Sequence, residues 1–90
     1  MLKRQVRVTN SLGLHARAAA QLVKLANRFR SRITLKRPDN GVTANAKSIL
    51  SVLNIAAGYG AELEITVDGE DEVAAADAIE KLFMTGFGEI

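Results

Sequence analysis

Four short segments of the chain carry apolar residues at every second position, and no other feature constrains the fold as much. They are Val6 and Val8; Ile33 and Leu35; Val42, Ala44 and Ala46; and Leu63, Ile65 and Val67. Successive side chains of a strand point to opposite faces, so each segment is expected to be a strand with one face buried. The alternate positions are polar throughout: Gln5, Arg7 and Thr9; Arg32, Thr34 and Lys36; Thr43 and Asn45; Glu62, Glu64 and Thr66. That is the pattern of an antiparallel sheet with one wet face and one covered face.

Three helical stretches can supply the cover. From Ala16 to Phe29, the residues Ala18, Leu22, Leu25, Ala26 and Phe29 form a stripe at three- and four-residue spacing, with Arg17, Gln21, Lys24 and Arg28 on the opposite side. A short helix is expected from about Ser48 to Asn54, stopped before Gly58 and Gly60. A third is expected from about Asp71 to Met84, opened by the acids Glu70, Asp71 and Glu72 and with Val73, Ala76, Ile79, Leu82 and Phe83 on its apolar side. Pro38, Asp39, Asn40 and Gly41 are the chemistry of a turn between the second and third strands. The tail from Gly86 to Ile90 is expected to fray. The sequence thus predicts an α+β open-faced sandwich of order βαββαβα, one domain over residues 1–90, with three helices on one face of a four-stranded sheet.

The charge is divided along the chain, and this bears on strand order. Up to Lys47 there are 11 Lys or Arg and the single acid Asp39, whereas beyond it Lys81 alone faces nine acids. On the wet face the fourth strand would bring Glu62 and Glu64, and the first and second would bring Arg7, Arg32 and Lys36. Cross-strand pairing favours seating the fourth strand between the other two, which gives the order 1-4-2-3.

Composition narrows the setting. Ninety residues that are 48% hydrophobic suit one modest core. With no cysteine, the chain can form neither disulfides nor thiolate metal sites, which fits a reducing cytoplasm. The start lacks an apolar signal core, and the longest uncharged stretch, Ser48 to Ala61, is too short and glycine-broken to span a bilayer. A soluble, unprocessed protein is expected.

His15 is the one histidine, placed where the glycine-bearing loop Ser11–Leu14 turns into the first helix. A helix start offers unpaired backbone N–H groups and the positive end of a dipole, with the Arg17 guanidinium close by. Such a place disfavours a proton and favours an anion. The imidazole is expected to stay neutral near pH 7, as a nucleophilic nitrogen, and to be stabilised once it carries a phosphoryl group. The helix end contributes about 0.3–1 kcal/mol, up to roughly 2 when partly buried, which suits a carrier that must release its cargo. Metal binding fails on ligand count, since there is no second histidine, no cysteine and no carboxylate before Pro38. Position alone leaves two readings open: phosphoryl chemistry, and a histidine that merely caps the helix.

The run Gly13-Leu14-His15-Ala16-Arg17-Ala18-Ala19 resembles the active-site motif G-[LIM]-H-A-R-P-A of the HPr family, the histidine-containing phosphocarriers of the bacterial phosphotransferase system. The resemblance extends to the element order, to Asn45-Ala46-Lys47-Ser48-Ile49, to the Gly58–Gly60 turn and to Asp68-Gly69-Glu70-Asp71-Glu72. The ending Leu82-Phe83-Met84-Thr85-Gly86-Phe87 is similar to the nitrogen-related NPr branch. The resemblance implies a relay, in which Enzyme I passes a phosphoryl group to Nδ1 of His15 and an EIIA-type domain accepts it. Arg17 would orient the phosphate, and the amides of Ala16, Arg17 and Ala18 would face it. Such a protein is a substrate of its partners more than an enzyme, needs no cofactor and is by default a monomer. Ala18 stands where the family has proline; it restores a backbone donor in the first turn, and that donor is expected to change how readily the group leaves.

Ser48 opens the second helix, where serine is a common N-cap. In some HPr proteins the matching serine is phosphorylated by a dedicated kinase, which makes Ser48 a candidate regulatory site. A helix cannot turn Ile49, Leu50, Val52 and Leu53 all toward one core stripe. The resemblance implies that Ile49, Leu50 and Leu53 belong to an apolar docking patch flanked by Arg17, Lys24 and Lys47, suited to an acidic partner. Two rival readings are a regulatory HPr-like module without phosphotransfer and a small nucleic-acid-binding domain. The basic first half and a pI of about 9.3 favour the latter. Three Phe and one Tyr are few for base stacking, and the mixed charges of the open sheet face spoil a uniform phosphate-binding field.

Overall fold

The computed structural model describes residues 1–89. Its elements are β1 (Leu2–Arg7), α1 (Ala16–Ala26), β2 (Arg32–Lys36), β3 (Thr43–Asn45), α2 (Ile49–Asn54), β4 (Glu62–Asp68) and α3 (Glu72–Met84), followed by a 3-10 turn at Gly86–Gly88. The four strands form one antiparallel sheet in the order β1-β4-β2-β3. The seating of β4 agrees with the charge argument. Arg7 lies opposite Glu62 with 2.7 Å between their charged atoms, and Lys36 and Arg32 lie opposite Glu64 and Asp68.

The strand residues Val6, Ile33, Leu35, Ala44, Leu63, Ile65 and Val67 point inward and meet Ala18, Ala19, Leu22 and Ala26 of α1, Val52 of α2, and Ala75, Ala76, Ile79 and Phe83 of α3 in one hydrophobic cluster. No helix is long and apolar enough to cross a membrane among the described residues.

Four expectations about the elements need correction. The first helix ends at Ala26 rather than Phe29: Asn27 follows as its C-cap, and Asn27 Nδ2 donates to the carbonyls of Val23 and Lys47, tying the helix end to the loop before α2. Phe29 nonetheless packs against the core. Val42 lies outside β3 and is exposed. Val73 is also exposed, because it sits about 120° round the helix from Ile79 while Ala75, Ala76 and Phe83 stay within the buried stripe. The tail does not fray over residues 86–89. Phe87 is buried and meets Phe83 edge to face with ring centres 5.0 Å apart. Ile90 lies outside the described residues.

Candidate functional site

His15 is the N-cap of α1, in an extended conformation with φ −76° and ψ −179°. Its carbonyl accepts from the amide of Ala19 at 2.8 Å, the first regular bond of the helix. The loop that delivers it is closely fitted. Gly13 has φ +69°, and a Cβ there would lie 2.7 Å from the carbonyl oxygen of Ala57, so only glycine fits both the torsion and the space. The next amide, of Leu14, donates to that same carbonyl at 2.9 Å, and the Leu14 side chain is buried. The histidine is thus anchored on both sides in sequence.

Its side chain is 27% exposed. Nδ1 faces the helix start and accepts from the amide of Arg17 at 3.3 Å, while the amides of Ala16 and Ala18 meet no acceptor among the described residues. These are the unpaired donors that any helix leaves at its beginning, gathered beside one ring nitrogen. The Arg17 side chain is exposed, and so is that of Lys24, about two turns along the same face. Ala18 is fully buried, so its methyl belongs to the core, while its N–H meets no acceptor among the described residues.

On the far side of the ring, Nε2 meets the carboxylate of Glu89 at 2.7 and 2.9 Å. Glu89 Oε1 also accepts from Asn10 Nδ2 at 2.8 Å, and that nitrogen donates to the Gly13 carbonyl at 2.7 Å. Asn10 is wholly buried. Burial pushes the Glu89 carboxyl up, but the hydrogen bonds from Asn10 and His15 and the electrostatic attraction of His15 and Arg17 outweigh it and hold the group below its ordinary range. Sequence reading missed both residues. Glu89 is 74 positions from His15, and no local pattern links the two. The available signal was the tail itself, a single apolar residue between two glycines.

Ser48 is the N-cap of α2, and its hydroxyl accepts from the amide of Ser51 at 3.4 Å. Beyond it Val52 turns into the core and Leu53 packs partly against it, whereas Leu50 is 74% exposed and Ile49 39%. Lys47 is placed differently from the other cations. Its ammonium donates to the carbonyl of Phe29 at 2.7 Å, so it closes the end of α1 as well as flanking α2. Leu12, in the loop before His15, is exposed too and was not singled out from the sequence.

Known proteins resemble the chain along nearly its whole length. The family model described as the PTS HPr component phosphorylation site matches residues 2–85. The phosphocarrier protein HPr of Treponema pallidum (strain Nichols) is 52% identical over 89 residues, covering 99% of each chain. The phosphocarrier protein NPr of Proteus mirabilis (strain HI4320) is 42% identical over 86 residues, covering 96% of this chain and 94% of that one. Among solved structures, the crystal structure of HPr-C-His from Thermoanaerobacter tengcongensis superposes with a TM-score of 0.92 at 32% identity, covering 100% of this chain and 99% of that one.

Proposed function

The chain belongs to the HPr family of phosphoryl carriers of the phosphotransferase system, and from that membership we propose that His15 is the residue that carries the group. The observation that carries this reading is the pairing of a part-exposed imidazole with free amides at the start of α1. Nδ1 accepts the phosphoryl group. The amides of Ala16 and Ala18 and the guanidinium of Arg17 face its oxygens, and the Arg17 amide, which donates to Nδ1 in the free ring, is released to them when that lone pair forms the N–P bond. There is little covalent chemistry for the protein to perform beyond presenting the nucleophile, which fits a carrier rather than a catalyst.

The donor in this reading is Enzyme I and the acceptor an EIIA-type domain, in the cytoplasm, with residues 1–90 acting as one monomeric domain. Leu50, Ile49 and Leu53 supply the apolar contact, and Arg17, Lys24 and Lys47 a basic border for acidic partners. Ser48 is the regulatory acceptor for an HPr-type kinase: a phosphate there would put negative charge at the start of α2, beside Leu50, and oppose the same partners.

The test is incubation with Enzyme I and labelled phosphoenolpyruvate. Native protein is expected to take an acid-labile label that is lost entirely in His15→Ala. Label that survives in that variant would move the site elsewhere, and folded native protein that takes none would reduce the chain to a binding module.

A further inference from the structure

We propose that Glu89, held by Asn10, is a positioning residue: it keeps the proton of His15 on Nε2, so that Nδ1 presents its lone pair to the incoming phosphoryl group. The inference rests on His15 being the acceptor, as above, and concerns what prepares it.

A carboxylate can only accept, so contacts of 2.7 and 2.9 Å from Nε2 to its two oxygens make Nε2 the donor. In a neutral ring the other nitrogen then bears the lone pair. That nitrogen is Nδ1, and the Arg17 amide is already directed at it. Two independent contacts, one at each nitrogen, therefore specify the same tautomer, and the specified nucleophile is the one facing the free amides.

The means of delivery points the same way. Gly86, Phe87 and Gly88 take φ of +60°, +57° and +75°, three consecutive left-handed residues, the middle one bulky. A bulky residue keeps such a torsion only where its surroundings impose it. Here burial of Phe87 against Phe83 does so, and the reversal it makes returns the next residues to the loop before α1. Asn10 completes the seat. Both donors of its amide are spent, one on the Gly13 carbonyl and one on Glu89, and its oxygen is left buried without a partner among the described residues. A fully buried side chain oriented toward one carboxylate fixes where that carboxylate lies.

The Nδ1 lone pair forms the N–P bond as the bond from phosphorus to the phosphorylated donor breaks, and that bond's electron pair leaves with the donor. The proton on Nε2 stays in place. The phosphorylated ring is thereby a cation facing the Glu89 carboxylate, and onward transfer returns the pair to Nδ1 with no proton having moved. This is the role of an orienting carboxylate behind an imidazole.

Two variants and two phosphoryl donors test it. In native protein the Nε2–H proton is expected as a protected imidazole signal in NMR, with Nδ1 unprotonated. Glu89→Ala should lose that protection. With Enzyme I as donor its phosphorylation rate should fall roughly 10-fold at saturating donor, with the donor KM unchanged. With phosphoramidate, a small donor that needs no docking, it should also slow and should place part of the phosphate on Nε2. Glu89→Gln keeps an accepting oxygen and should recover the protected signal and part of the rate. A folded Glu89→Ala protein with native imidazole signals and native rates overturns the proposal, as does an effect confined to the KM. Failure of native protein to accept from Enzyme I, with the protected signal and Nδ1 phosphorylation by phosphoramidate intact, would instead count against the carrier reading and leave the positioning role supported.

Discussion

Among the described residues, two that are not glycine hold a left-handed backbone, and only one of them gains from its side chain. Phe87 has φ +57° and buries its ring; Ala56, just past the C-cap of α2, has φ +51° and is exposed. The position of Ala56 is the one after a helix where glycine is usual. Its amide donates to the Leu53 carbonyl at 3.1 Å, a bond that any residue can make. A left-handed torsion costs alanine about 1–2 kcal/mol, and glycine gives back about 0.4–1 kcal/mol through the looser unfolded chain. Ala56→Gly is therefore expected to stabilise the protein by about 0.5–1 kcal/mol, read as a higher denaturant midpoint at unchanged slope; a lower midpoint would show that the methyl group makes contacts that matter. Single residues were also where the sequence was least and most legible. His15 and Arg17 stand out because a glycine loop runs into a helical stripe, a local pattern. Glu89 and Asn10 do not, because their meaning arises only when the chain ends meet.

Elements were legible where their evidence is periodic, and less so where a side chain from elsewhere ends them. Alternation located all four strands, and the opposed charges of Arg7 and Glu62 ordered them. The end of α1 was misplaced by three residues because Asn27 and Lys47 bond across to another loop. The start of α3 shows the same principle with a measurable consequence. Asp71 makes no side-chain bond to its own helix. Its carboxylate accepts instead from the Ser31 hydroxyl, from the Arg30 amide at 2.8 Å and from the Ser31 amide at 2.9 Å, clamping the loop before β2 to the start of α3. The Ser31 hydroxyl and the Arg30 amide, with the Ser31 amide adding to them and burial opposing, lower its pKa from 3.8 to about 2. A folded value below the unfolded one means that this stabilisation is complete above the unfolded value and disappears as pH falls through the folded one. Native protein should therefore lose stability between about pH 5 and pH 2 more steeply than Asp71→Asn, and the gap between their chemical-denaturation midpoints should narrow across that window. Parallel curves would show that Asp71 titrates alike folded and unfolded.

Over the whole molecule, a formal charge of +2 conceals two regions of opposite sign, and the fold disposes of them differently. Much of the acid is spent internally: Glu62 on Arg7, Asp77 and Glu80 on Arg4, Glu70 on Arg30, and Asp71 on the loop before β2. Arg17, Lys24 and Arg28 make no ion pair within 4 Å among the described residues, and all three are exposed, the first two on α1 and Arg28 just past its end. Folding thus leaves an outward positive field on the helix that begins at His15, beside a short helix that shows Leu50 to water. Charge of this kind speeds encounter and is screened within about 8–10 Å at physiological salt, whereas apolar contact governs how long a complex lasts. The two contributions can be separated. The rate constant for phosphorylation by Enzyme I at low donor concentration is expected to fall roughly 10-fold between about 0.05 and 0.5 M salt. Lys24→Gln should flatten that dependence while leaving the high-salt rate nearly unchanged. Leu50→Ala should lower the rate by a similar factor at every salt concentration without changing the slope, and its thermal midpoint should stay near native because the side chain is already in water. A salt-independent rate in native protein would mean that the basic face of α1 is only a solvated surface, and that partner choice rests on the apolar patch alone.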